Sequence, residues 1–355
     1  MKSTKSLLIP MAGKSSRFPN MKPKWMQTHP MTNHFMVIES ILGLNLDFFD
    51  KIYFTVLKEH QEQYQFLFSF LQQLDECKLK EKCKIVFLEF PTSCQSETVY
   101  QTIIKENING FIFIKDSDGY YRVSIKDTCN QIAYFDLNEI DDINARSKSY
   151  IQLDTNNIIT NIVEKKVIGS TFSVGGYGFQ DASKFCSAYE ALSDMEEECY
   201  ISHVIFEMML NSSLFYGLKT SDFKDWGTLK DWNNYKNEYK CLFLDIDGTL
   251  VENASVHFPP YVGNTEALKN NVKHINELYS SKKVYIILTT SRPERVREIT
   301  EKELKEKNIP YDKLIMGLPH CQRIIINDYA KTNPFPSCSA INIARNSDTL
   351  KEILT

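Results

Sequence analysis

The run Cys241-Leu-Phe-Leu-Asp245-Ile-Asp247-Gly248-Thr249-Leu250 sets the reading of the chain, because an apolar strand ends there in two carboxylates one residue apart. In extended backbone, residues i and i+2 point to the same side, so Asp245 and Asp247 share a site if that geometry persists just past the strand end. Gly248 lets the backbone turn away. Asp245 can then attack phosphorus as a nucleophile while Asp247 shuttles the proton. A solvated acidic turn would explain a lone Asp-x-Asp, but it explains poorly the whole run behind four residues of buried-strand character.

Most of the 355 residues precede this run, so length predicts two domains. An apolar content of 43% with 24% charged residues describes an ordinary globular protein able to bury a sizeable core. The 41 basic and 45 acidic residues give a net charge of -4, which offers no support for a nucleic-acid surface. Nine scattered cysteines without a Cys-x-x-Cys pair suit reduced thiols better than a disulfide framework. The N-terminus lacks a signal-peptide apolar run and no stretch approaches transmembrane length, so a cytoplasmic protein without membrane contact is expected. Lys236-Asn-Glu-Tyr-Lys240 is a short polar link, which puts the expected domains at 1–238 and 239–355.

The first domain opens with the strand Leu7-Leu-Ile-Pro, which runs into Met11-Ala12-Gly13-Lys14-Ser15-Ser16-Arg17-Phe18, and Pro23-Lys24-Trp25 follows. Small residues let backbone amides approach an anion, and Arg17 and Lys24 supply charge-assisted contacts, the composition of a phosphate loop. Ser15 is tolerated there if its φ stays negative. Cys94-Gln95-Ser96-Glu97-Thr98 follows a strand and opens a helix, where simple N-capping by Ser96 would also fit. Gly110-Phe-Ile-Phe-Ile-Lys-Asp116-Ser-Asp118-Gly119 is a buried strand ending in two acids, the usual place for a metal on an open α/β sheet. Mg²⁺ takes one or two carboxylates plus phosphate oxygens, so this tip can present a nucleotide-bound cation; an Asp-Gly hairpin turn is the plainer alternative. Glu164-Lys165 precedes a glycine-rich strand containing Gly175-Gly176, and either charge could instead blunt a strand edge. Tyr200-Ile-Ser202-His203 begins a helix, and Asp225-Trp-Gly227-Thr closes the series.

In this order the segments resemble the sugar-phosphate nucleotidyltransferases, over roughly residues 5 to 235. Ser15 stands where that family usually has a second glycine. The resemblance implies a GT-A-like, Rossmann-type α/β domain with a mixed sheet. It places Met11, Ala12, Gly13, Lys14, Ser15, Ser16, Gln95, Ser96, Glu97 and Thr98 on the nucleotide, with Arg17 and Lys24 on the triphosphate. Lys165 would face the acceptor phosphate, Glu164, Gly176, Ser202 and His203 the acceptor, and Asp116 or Asp118 with Asp225 would hold Mg²⁺. A sugar or polyol phosphate would attack the α-phosphorus and release pyrophosphate. The base and the sugar are not legible, and CTP is only slightly favoured.

The 241–250 run resembles the first motif of the haloacid dehalogenase superfamily of Mg²⁺-dependent phosphotransferases. Lys283-Val-Tyr-Ile-Ile-Leu-Thr289-Thr290 resembles the second motif, so Thr290 would bond the transferring phosphoryl group. Arg323-Ile-Ile-Ile-Asn327-Asp328 reads as another strand, whose Asp328 would complete an Mg²⁺ site with Asp245 and Asp247. The interval from Asp245 to Thr290 is too short for the usual cap, so a capless parallel-sheet Rossmannoid domain is implied. Gly317-Leu318-Pro319 lacks the lysine the superfamily places there, and Arg323, Lys313 or Lys331 could restore its charge from elsewhere. Together the resemblances imply a bifunctional enzyme supplying an activated sugar for surface polysaccharide. A nucleotidyltransferase with a non-catalytic module and a GT-A glycosyltransferase are the alternatives, and homo-oligomerisation is left open.

Overall fold

The computed structural model describes residues 4–140, 148–192, 198–328 and 338–354. The chain divides into two compact units, Met1–Asn233 and Asn234–Thr355. The division falls inside the helix Leu229–Asn237, ahead of the end of the 236–240 link. Trp232 on that helix is buried with its ring 5.4 Å from that of Trp226, so the early part of the helix packs with the first unit. Among the described residues no helix is long and apolar enough to cross a membrane.

The first unit carries β1 (Thr4–Pro10), β2 (Lys51–Leu57), β3 (Cys83–Leu88), β4 (Gly110–Lys115), β5 (Gly119–Arg122), β6 (Gln131–Asp136), β7 (Ser149–Leu153), β8 (Ile159–Glu164), β9 (Thr171–Phe179), β10 (Tyr216–Lys219) and β11 (Ser221–Asp225). Its mixed sheet runs β10-β6-β9-β4-β1-β2-β3, with β7 joining β8 and β9. Strands β1 to β4 are mutually parallel, and β9 is antiparallel to both β4 and β6. Leu7, Ile9, Phe111 and Phe113 pack into one core with Val37, Ile38 and Phe70, while Leu8, Ile112 and Ile114 pack into the other with Val99, Phe185 and Ile205. Burial on both faces is why β1 and β4 read as unbroken apolar runs rather than alternating ones.

This topology positions the candidate residues. Because β1 and β4 are parallel in the register Leu8↔Ile114, the loops after them leave the same edge of the sheet. The turn at Asp118-Gly119 does not close a hairpin on β4. Instead β5 pairs with β11, antiparallel, with Asp225 opposite Gly119.

The second unit carries three parallel strands, β12 (Lys240–Asp245), β13 (Val284–Thr289) and β14 (Lys313–Ile315), in that order. Leu242, Leu244, Ile286 and Leu288 pack against Ile275 of the helix Lys269–Ser280 and Leu304 of the helix Arg297–Glu306. The expected buried character of β12 is corrected to a half-buried one, since Cys241 and Phe243 on its other face are exposed.

The strand expected over 323–328 is not formed. That run is irregular, with Ile324, Ile325 and Ile326 exposed by 72%, 51% and 92%. A short apolar run without alternation has no face that fixes its pairing, so apolar content alone did not decide its structure. Asp328 consequently does not sit at a strand end.

Backbone at Gly175 is held at φ +78°, and an added Cβ would lie 2.2 Å from Asp116 Oδ2 and 2.7 Å from Asp116 Cβ. Gly175→Ala is expected to cost about 2 kcal/mol or more through backbone strain and displacement of Asp116. Urea unfolding checks this; an unchanged midpoint would contradict the tight packing of β9 on the β4 tip.

Candidate functional site

The first unit gathers cations on the acids of the β4 tip. Lys24 Nζ donates to Asp118 Oδ2 at 2.6 Å, and Arg17 Nη2 lies 3.7 Å from the same oxygen. Burial pushes the Asp118 carboxyl up, but the two cations outweigh it and hold the group below the usual carboxylate range. Asp116 is driven the other way, by burial first and then by Asp118. Its Oδ1 accepts from Gln95 Nε2 at 2.5 Å, so the side chain expected to read a base is engaged with an acid of the tip. Beneath both acids Lys115 is fully buried, donating to the Asp116 and Gly119 carbonyls at 2.7 Å each. Desolvation lowers its pKa to about 8.

Asp225 reaches the same place from β11. Its Oδ1 accepts from the Gly227 amide at 3.0 Å, and its Oδ2 takes Lys148 Nζ at 2.5 Å. The Trp226 amide donates to the Asp118 carbonyl at 2.9 Å, tying the two acidic turns together. A Cβ placed on Gly227 would lie 3.1 Å from Asp225 Oδ1, 3.4 Å from Arg17 Nη1 and 3.5 Å from Asp118 Oδ2. That glycine therefore keeps open a cradle lined by two carboxylates and a guanidinium. Among the described residues no three His, Cys, Asp or Glu side chains form a ready metal cluster. Two carboxylates nevertheless fit a cation such as Mg²⁺, which completes its shell with phosphate oxygens and water.

The loop after β1 departs from one expectation. Ser15 has φ +49°, in the left-handed region, not a negative φ. Its hydroxyl accepts from the Lys24 amide at 3.2 Å and its carbonyl from the Phe18 amide at 2.9 Å, bonds that offset part of the strain. Gly13, Lys14, Ser16 and Arg17 are exposed around it, while Met11 and Ala12 are buried at its root. The helix Gln95–Glu106 is capped by Cys94, whose sulfur accepts from the Glu97 amide, and not by Ser96. Ser96 is fully buried with its hydroxyl on the Cys199 carbonyl, and buried Thr98 bonds Thr92. Glu97 accepts from Ser93 through both its amide and its hydroxyl.

On the acceptor side, Glu164 accepts from Ser149 and, at 2.8 Å, from Ser202. Lys165 lies just past β8 at φ +52°, donates to the Tyr200 hydroxyl and stands 4.1 Å from the Tyr200 ring centroid. His203 Nδ1 faces the Tyr200 amide at 3.4 Å, and buried Gly176 packs where a Cβ would lie 2.1 Å from the Tyr121 hydroxyl. Gly176, Ser202 and His203 are each engaged in local contacts, and the Lys165 ammonium rests on Tyr200.

In the second unit Asp245 pairs in register with Thr289, and Asp247 lies just beyond. Arg323 Nη1 donates to Asp245 Oδ1 at 3.1 Å, so one of the three residues considered for the missing lysine's charge stands beside the expected nucleophile. Lys313 is exposed on β14, and Lys331 lies outside the described residues. Burial raises the Asp245 carboxyl pKa against the pull of Arg323. Asp247 is gripped by Arg292, whose Nε and Nη2 donate to its two oxygens at 2.9 and 2.7 Å. Arg292 is almost wholly buried and also donates to buried Glu303 at 2.7 Å. The Thr290 hydroxyl donates to Asp247 Oδ2 at 3.3 Å and accepts from the Arg292 amide. Asp328 sits in the exposed run described above.

Sequence reasoning missed Lys148, Lys115, Arg292 and Glu303. Lys115, a lysine ending an apolar run just before two acids, was a visible signal, and so was Arg292 two residues after the Thr289-Thr290 pair. Lys148 and Glu303 have no local pattern, since only tertiary pairing brings them to their acids.

No protein-family model matches the chain, and no curated protein matches it. Solved structures share its fold. The nucleoside-diphosphate-sugar pyrophosphorylase from Vibrio cholerae RC9 matches 64% of this chain and 98% of its own, with a TM-score of 0.53 and 18% identity. The inositol-1-phosphate CTP transferase from T. maritima matches 66% of this chain and 95% of its own, with a TM-score of 0.52 and 12% identity. The chain therefore contains, over about two thirds of its length, the mixed α/β fold of these sugar-phosphate nucleotidyltransferases.

Proposed function

We propose that the first unit transfers a nucleotidyl group from a nucleoside triphosphate to a sugar or polyol phosphate with release of pyrophosphate. The observation that carries this reading is the cradle at Gly227, which Asp118, Asp225 and Arg17 all border while Lys24 is paired with Asp118. The neighbours' names, a sugar pyrophosphorylase and a CTP transferase, agree with nucleotidyl transfer, and CTP stays only a slight favourite among the triphosphates. An acceptor phosphate oxygen forms a bond to the α-phosphorus as the bond to pyrophosphate breaks. Little covalent work falls to the protein, so positioning and charge neutralisation carry the rate. Arg17 and Lys24 exchange Asp118 for triphosphate oxygens, Lys165 orients the acceptor phosphate, and Glu164 fixes the helix start through Ser202. Mg²⁺ held by Asp118 and Asp225 would neutralise phosphate charge there.

For the second unit we propose phosphomonoester hydrolysis with Asp245 as nucleophile, and with Arg323 supplying the charge absent at Leu318. The two activities would serve adjacent steps in supplying an activated sugar for surface polysaccharide in the cytoplasm. One observation favours a second reading, a non-catalytic module: the bidentate Arg292 grip leaves Asp247 poorly suited to passing a proton.

Three outcomes are expected. Arg17→Ala and Lys24→Ala should each weaken triphosphate binding by about tenfold or more and acceptor binding little, by separate calorimetric titrations; equal loss for both ligands would make the loop a plain connection. Asp225→Ala should abolish pyrophosphate release while the variant still folds, melting somewhat below the parent because Lys148 and the Gly227 amide lose their partner. Asp245→Asn should stop free-phosphate release without touching nucleotidyl transfer. Its stability carries a pH signature. The folded carboxyl's pKa is raised, so parent and variant melt alike below pH about 4, and the variant gains as pH rises through the parent's folded pKa. Scanning calorimetry in a chelator reads this; a variant that loses stability relative to the parent as pH rises would contradict it.

A further inference from the structure

Lys148 has no part in the reading above, yet it holds the better-placed oxygen of Asp225. Its Nζ lies 2.5 Å from Oδ2, with the two side chains exposed by only 16% and 17%. The other oxygen, Oδ1, is occupied by the Gly227 amide, so Oδ2 is the atom left for a cation. The ammonium also stands 5.5 Å from the Phe223 ring centroid, a contact that favours a cation in this position. Lys148 is tied to the acceptor side through its backbone, since its carbonyl accepts from the Lys165 amide at 3.0 Å. Each acid of the cradle thus carries a lysine, Lys24 on Asp118 and Lys148 on Asp225.

Two like-charged carboxylates around one small space repel unless each is compensated. A divalent cation seated between them has to take the place of a resident ammonium. Lys24 has an evident destination in the triphosphate. Lys148 has one beside Lys165, where the proposed acceptor brings a phosphate.

Resting on the nucleotidyl-transfer reading, we propose that Lys148 is an exchangeable resident cation: it holds Asp225 ready while the cradle is empty, yields that carboxylate to the incoming divalent metal, and carries its charge to the acceptor phosphate. Lys148 is then a positioning residue for the metal and a phosphate ligand for the acceptor. A lysine that only braces the β11 turn would behave differently, because its removal would loosen Asp225 and weaken metal binding.

The test uses Mn²⁺ as probe, titrated into the full chain with free Mn²⁺ read by its paramagnetic resonance, and the site in question is the component that Asp225→Ala removes. Lys148→Gln should bind Mn²⁺ at that site about tenfold more tightly than the parent, and Lys148→Arg, which keeps the charge, should bind as the parent does. Lys148→Met provides the same reading if the glutamine variant melts early. In pyrophosphate release, Lys148→Gln should show a raised KM for the acceptor phosphate with the KM for triphosphate little changed. Unchanged or weaker Mn²⁺ binding in both neutral variants overturns the proposal, as does the absence of any Asp225-dependent binding. Tighter binding without pyrophosphate release from any triphosphate would leave the cation exchange standing and remove the nucleotidyl-transfer reading; unchanged binding with normal release would do the reverse.

Discussion

The antiparallel pairing of β11 with β5, Asp225 opposite Gly119, is the constraint on which the first unit's site depends. It carries an acid from near the end of that unit to the tip of β4, more than a hundred residues earlier in the chain. The Trp226 amide locks the junction on the Asp118 carbonyl, and Gly227 keeps the resulting gap free of side-chain atoms. Without that ladder Asp118 would face only the cations of the first loop. With it, two carboxylates and a guanidinium border one cradle.

Charge compensation then explains much of the surrounding chemistry. Asp118 carries Lys24 and Arg17, Asp225 carries Lys148, and Asp116 is bonded by Gln95 above a buried Lys115. Clustered acids at a strand tip are stable because each has a partner, and those partners are groups that phosphates would also bind. The second unit handles its acids more rigidly. Arg292 is buried between Asp247 and Glu303, and breaking such a buried pair from one side typically costs about 3–5 kcal/mol. Among the described residues Asp245 is paired with a half-exposed arginine, a looser hold than the one on Asp247.

The strands β1, β4, β12 and β13 were legible because apolar runs ending in loops or acids leave a strong local pattern. The acids at the ends of β4 and β12 were legible for the same reason, whereas the proximity of Asp225 to Asp118 was implied only by the family resemblance, which left Asp116 and Asp118 as alternatives. Charge partners recruited from afar were not legible: Lys148 stands in a polar Ser-Lys-Ser stretch that gives no hint of Asp225. Local chemistry also misled in places. Ser96 has a capping residue's composition but lies in the core, with Cys94 as the cap, and Ser15 tolerates a left-handed backbone through its own hydrogen bonds. The isoleucines of 324–326 show that apolar content without alternation does not set a pairing partner.

The central claim is nucleotidyl transfer at the Gly227 cradle, and identifying the leaving group tests it most directly. The intact chain would be incubated with Mg²⁺ and each nucleoside triphosphate in turn, against a panel of sugar and polyol phosphates. Acceptor-dependent release of pyrophosphate, with the nucleoside monophosphate moiety joined to the acceptor, is the predicted result. Turnover of nucleotide sugars with release of a nucleoside diphosphate, and no pyrophosphate from any pairing, would contradict the account and assign the same fold to glycosyl transfer.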